Sequence, residues 1–198
     1  VIVNRFEKAI AAMDILHAGD PARQSYGGVP RPAELVYAMR MSEMLQALYP
    51  DASEALRLAV RCQHIQRWKL PRTDYPEGRA GYLQWRTEEK RRHAELAADI
   101  LRKSGYEDSA VDRVGQLVRK ERLKQDEEVQ RLEDVACLVF LEDHLADFAP
   151  KHSETKVVDV IRKTWPKMSA QAQQAALERE LPAASRRLVE LALAGSKG

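Results

Sequence analysis

The stretch from Asp126 to Phe148, D-E-E-V-Q-R-L-E-D-V-A-C-L-V-F-L-E-D-H-L-A-D-F, constrains the fold more than any other part of the chain. A surface helix keeps a polar face, but Val135 to Leu141 are apolar on most sides of a helix, so this segment must be covered all round. It is therefore expected to be the central helix of a bundle. Carboxylates bracket the apolar run, with Glu133 and Asp134 before it and Glu142 and Asp143 after it.

The other periodic segments are also helical. Phe6, Ile10, Met13 and Leu16 recur at three- and four-residue steps and predict a helix over Asn4 to His17, ended by Gly19 and Pro21. A connection rich in glycine and proline follows; Asp14, His17 and Asp20 lie near its start, where they either face a site or, as is commoner, form a polar rim. Pro32 opens a second helix to about Leu48. Asp51 and Glu54 form a capping-box pattern for a third, expected to run through His64 to Trp68. A fourth spans about Arg79 to Ser104 and stops at Gly105, and a fifth is expected to be capped by Ser109. Pro150 ends the sixth helix. Ser153 starts a seventh, Pro166 separates it from an eighth capped by Ser169, and a last short helix carries Leu188, Leu191 and Leu193. No strand pattern competes.

These elements predict an all-α protein of about eight to nine helices, a single domain over residues 1–198. That length buries one core without disulfides or metal. Thirty-two basic and 30 acidic residues leave a net charge of +2, which gives no global field for DNA or an acidic membrane. Nucleic acid and membranes are accordingly disfavoured as partners. Cys62 and Cys137 lack CxxC spacing and read as buried free thiols of a reducing, cytoplasmic protein. The N-terminus lacks the apolar core of a signal peptide, and no apolar run reaches the ~18 residues of a membrane span.

Chemistry concentrates between Cys62 and Arg86, C-Q-H-I-Q-R-W-K-L-P-R-T-D-Y-P-E-G-R-A-G-Y-L-Q-W-R. Arginine presents a rigid fork of donors matched to carboxylate or phosphate, and aromatic rings give walls for stacking. Arg67, Trp68, Arg72, Arg79, Tyr82, Trp85 and Arg86 are thus the candidate ligand-binding residues, for a small anionic metabolite or nucleotide. The alternative is a structural loop whose arginines pair with nearby acids. His64 and His93 sit on different helices without a local zinc motif. If their helices converge with the sixth, His64, His93 and Asp134 become candidate catalytic residues and ligands for a divalent metal such as manganese, iron or zinc. Glu142 lies two turns beyond Asp134, a possible second acid.

The strings R-C-Q-H-I-Q-R-W-K-L-P-R, Y-P-E-G-R-A-G-Y-L-Q-W-R, L-E-D-V-A-C-L-V-F-L-E and K-T-W-P-K-M-S resemble the DUF4202 family, bacterial and fungal proteins classed as a domain of unknown function. That resemblance covers essentially the whole chain and implies no particular activity. A weaker resemblance is to the HD superfamily of metal-dependent phosphohydrolases, all-helical proteins with the ligand pattern H…HD…D. It implies an HD-like helical bundle with Glu34 at the place of the first ligand, His64 at the His-Asp pair, His93 as an extra histidine and Asp134 as the final aspartate. Two positions depart from the pattern: Glu34 is not a histidine, and Ile65 stands where a metal-bridging aspartate belongs. The expected function is binding of a small anion, with metal-dependent phosphoester hydrolysis as its catalytic form; the alternative is a non-catalytic ligand-binding, regulatory or partner-binding module.

Overall fold

A computed structural model describes residues 4–194. Residues 1–3 and 195–198, which the reading of one domain over 1–198 includes, lie outside the described residues. The described chain is mostly helical, with ten α-helices and one small β-hairpin. It forms two compact units, one running to Arg122 and one beginning at Leu123. Among the described residues no helix is long and apolar enough to cross a membrane. Cys62 and Cys137 are free and buried.

The first unit holds α1 (Arg5–His17), β1 (Arg23–Tyr26), β2 (Val29–Pro32), α2 (Ala33–Leu48), α3 (Glu54–Arg61), α4 (Gly78–Ser104) and α5 (Asp108–Arg119). Asn4 closes a capping box with Glu7 and starts α1. α5 packs along α4 and α3, while α1 lies against α2, α3 and α4. Met13, Met41, Leu56, Leu58, Ile65, Leu101 and Leu117 fill the space between them.

Four expectations need correction here. The connection after α1 contains strands: β1 and β2 pair antiparallel, with Arg23 opposite Pro32 and Tyr26 opposite Val29. Gly27 and Gly28 turn the chain with φ of 58° and 78°, the left-handed pair that a tight hairpin needs. Ser53 rather than Asp51 caps α3, its Oγ accepting the Leu56 N–H at 3.1 Å. α3 also stops at Arg61 instead of reaching Trp68. The Arg61 carbonyl, which would accept the Ile65 N–H in a continuing helix, accepts from His17 Nε2 at 2.9 Å. Ile65 N–H bonds the Cys62 carbonyl instead, and Gln66 turns left-handed at φ 55°. Finally, α5 starts at Asp108 behind Glu107, so Ser109 lies inside the helix.

The second unit holds α6 (Glu127–Val139), α7 (Leu145–Phe148), α8 (Glu154–Thr164), α9 (Ala170–Glu178) and α10 (Ala183–Ala194). Asp126, Ser153 and Ser169 cap α6, α8 and α9 through their side chains. The helix expected to run unbroken to Phe148 carries a π turn at Phe140–His144, and short 3₁₀ turns follow at Ala149–Lys151 and Trp165–Lys167. Leu132, Val135, Leu138, Leu141, Leu145 and Ile161 are fully buried, so the apolar run of α6 is covered as its composition demands.

Candidate functional site

The turn that breaks α3 puts His64 and Arg67 beside α4. His64 is half-buried, its ring stacked on Tyr37 of α2 at 4.3 Å and 11°, and it lies 6.2 Å from the His93 ring. Arg67 reaches back over it, with Nη1 3.2 Å from His64 Nε2. The same guanidinium places Nε 2.8 Å from Glu89 Oε1, and Arg86 Nη1 donates to Glu89 Oε2 at 3.0 Å. Glu89 is 1% exposed. Two cations thus share one buried carboxylate.

Trp85 forms the wall. Arg67 lies over its ring at 4.9 Å and Arg86 at 6.0 Å, both within the range in which a guanidinium is held by the π face. The indole N–H donates to the Leu70 carbonyl at 2.9 Å, fixing the ring against the loop. Exposed Tyr82 stands one turn earlier on α4, 5.9 Å from Trp85.

The electrostatics follow from burial and from these guanidiniums. Burial first, then Arg67 and Arg86, hold His93 down to about 3. His64 is lowered by burial, then by Arg67, His93 and Arg86. Both rings are neutral at pH 7. Burial raises the Glu89 carboxyl, opposed by Arg67 and Arg86. The cluster therefore contains two guanidinium charges set against one carboxylate, with two uncharged imidazoles at its edge.

The chain is expected to bring its ligand-binding residues together, and the structure gathers Arg67, Trp85 and Arg86 with Tyr82 beside them. Arg72 is used differently: it donates to the carbonyls of Tyr75 and Pro76 at 2.9 Å and closes the loop on itself. Trp68 faces Gly19, where an added Cβ would lie 3.5 Å from the indole. Arg79 is exposed in the first turn of α4. Glu89 and Tyr37 were absent from the candidate set. The Arg86–Glu89 spacing of three on one helix, with His93 four further on, was the available signal for Glu89.

A family model described as domain of unknown function (DUF4202) matches residues 7–189. The chain belongs to that family. No curated protein and no solved structure matches it, so the HD resemblance gains no support from comparison. The match covers every residue of the DUF4202 cluster just described.

The divalent metal that the HD resemblance implies does not fit the residues of this DUF4202 member. Among the described residues no group of three or more His, Cys, Asp or Glu side chains is placed to hold a metal ion. The Arg67 guanidinium occupies the approach to His64 Nε2, and Glu34 faces His17 Nδ1 at 3.8 Å. Ile65, at the place of the bridging aspartate, is a fully buried core side chain. In the second unit Asp134 is also fully buried, and both of its oxygens are engaged. Oδ1 accepts from Ser169 N–H at 2.7 Å and Gln130 Nε2 at 2.9 Å, and Oδ2 accepts from Ser169 Oγ at 2.6 Å. Glu142 pairs with Arg179 at 2.6 Å.

Proposed function

We propose that the first unit binds a small anionic metabolite or nucleotide at Arg67 and Arg86, with Trp85 as the wall. The observation that carries this reading is the sharing of Glu89 by two guanidiniums, which leaves one positive charge in excess. An Arg fork has five donors, and the geometry described uses only part of each, leaving donors for an oxyanion. His64 and His93 add polar ring edges without adding charge, and Tyr82 offers an exposed ring beside the site. Binding is favoured over metal-assisted hydrolysis because the guanidiniums of Arg67 and Arg86 outnumber the one carboxylate, Glu89, beside the two histidines, and Arg67 Nη1 stands 3.2 Å from His64 Nε2.

Titration calorimetry of the full chain with nucleoside mono-, di- and triphosphates and with di- and tricarboxylates tests the proposal. Saturable binding is expected, lost in Arg67→Ala and in Arg86→Ala. A ligand at 100 times its Kd also raises stability by about 2.7 kcal/mol, which makes a thermal-shift screen an efficient first step. Absence of any stabilising anion at millimolar concentration, or binding that survives both substitutions, sinks the reading.

A further inference from the structure

Three helices of the first unit each bring an i, i+4 pair of side chains to one groove: Phe6 and Ile10 from α1, Ser42 and Gln46 from α2, Arg57 and Arg61 from α3. Leu45 of α2 completes the lining, and the groove holds about 250 Å³. Phe6, Ile10 and Leu45 make its walls apolar. Arg61 brings no free charge to it, because its guanidinium meets both oxygens of Asp14 at 2.7 Å and donates to Ser42 Oγ at 3.2 Å. Arg57 is different. It is exposed, its one hydrogen bond among the described residues runs from Nη2 to the Pro50 carbonyl at 3.0 Å, and no described carboxylate pairs with it. Gln46 is also exposed, and its amide has no hydrogen-bond partner among the described residues. Phe6 and Arg57 line an adjoining cavity of about 310 Å³ as well, whose other charged groups, Arg5 and Glu54, pair at 3.1 Å. Among the described residues, Arg57 thus carries the one uncompensated charge lining either cavity.

We propose that this groove binds a small monocarboxylate with an apolar body, of the aryl or medium-chain acyl class. Arg57 takes the carboxylate, since most of its donors are uncommitted and a guanidinium fork pairs with a carboxylate through two charge-assisted hydrogen bonds. The Gln46 amide supplies a neutral donor beside it. The body lies against Phe6, Ile10 and Leu45 and removes their apolar surface from water. Size and charge both select. The groove is smaller than the roughly 300–1,000 Å³ of sites that hold drug-sized ligands, which limits the body to a ring or a short chain. One uncompensated cation matches one negative charge, whereas a nucleotide would set a polar sugar and further phosphates against apolar walls without partners. The groove shares no residue with the Arg67–Arg86–Glu89 cluster and does not depend on the function proposed for it.

The test titrates the ¹⁵N-labelled full chain with phenylacetate and with hexanoate, each set against its uncharged alcohol, phenylethanol or hexanol. Acetate serves as the anion without a body. Both acids are expected to give saturable shifts of the Phe6, Ile10, Leu45 and Gln46 backbone amides, about tenfold weaker with the alcohols and absent with acetate. Arg57→Ala should weaken both acids about tenfold, and Arg57→Lys should keep part of the affinity because it keeps the charge. Should Arg57→Ala disturb the fold, Arg57→Lys and the acid–alcohol comparison in wild type still decide. Three results overturn the proposal: acids and alcohols that bind alike, wild-type affinity in Arg57→Ala, or no saturation by either acid at about 10 mM. Arg67→Ala should leave these shifts in place. Their loss in that variant would put the acids at the other cluster and overturn the groove, so the two sites fail separately.

Discussion

Asp134 holds Ser169 by two hydrogen bonds, one from its backbone N–H at 2.7 Å and one from its hydroxyl at 2.6 Å. Ser169 in turn accepts the Ala172 N–H at 3.2 Å and caps α9. A fully buried carboxylate is thereby satisfied by donors at a helix N-terminus, where negative charge is favoured. Replacing Asp134 by Ala strips these donors of their partner and should cost about 3 kcal/mol in urea unfolding. Were Asp134 a metal ligand, the substitution would change metal content with little effect on apo-protein stability.

Gly81 sits under the loop that leads into α4. A Cβ there would lie 1.9 Å from the Pro76 carbonyl oxygen and 2.7 Å from its carbon, both backbone atoms. Gly81→Ala therefore has to move the Pro76 segment, which Arg72 ties down through the Tyr75 and Pro76 carbonyls. A loss of about 2–4 kcal/mol is expected, against a gain of up to ~1 for Gly→Ala in an open helix position. A neutral or stabilising result in thermal unfolding would show that the loop gives way freely.

The helical architecture was legible because caps and periodicity are local. Ser153, Ser169 and Gly105 each act on their own first or last turn, and the apolar run of α6 demands cover wherever it is placed. The hairpin was not legible, since its strands bury little and lack an apolar alternation; only Gly27-Gly28 marked it. The end of α3 was hidden for another reason: it depends on His17, 44 residues earlier, taking the Arg61 carbonyl. The same separation hid the site. His17 and Asp20 look like a polar rim and are in fact buried, and Glu89 lies in T-E-E-K-R-R-H, a run indistinguishable from a solvated face until Arg67 is brought over it.

His93 makes the pH dependence testable below neutrality. Held down to about 3 by burial and by Arg67, Arg86 and Arg92, it refuses a proton that an unfolded histidine takes below ~6.5. Its contribution to stability is complete above that value and lost as pH falls, at about 1.4 kcal/mol per unit between ~6 and ~4. Glu89 acts in the opposite sense, because its raised carboxyl gains a proton in the folded state before the unfolded state does. The comparison that isolates His93 is wild type against His93→Gln in urea unfolding across this range. Parallel curves would mean that the folded ring titrates normally.

Glu89→Gln separates an anion site from a structural arginine cluster. The amide keeps an acceptor for Arg67 or Arg86 but removes the negative charge that occupies both. Folding should lose about 1–3 kcal/mol, a modest sum for a buried pair because the two arginine side chains are 31% and 27% exposed and remain partly solvated. Anion affinity should rise by about tenfold, equivalent to ~1.4 kcal/mol, with a steeper decline as salt is added. If Arg67 and Arg86 serve only to bury Glu89, the variant loses the same stability and gains no affinity for any anion. Calorimetric titration alongside urea unfolding distinguishes the two, since only a site whose excess positive charge is available to ligand improves when its internal counter-charge is removed.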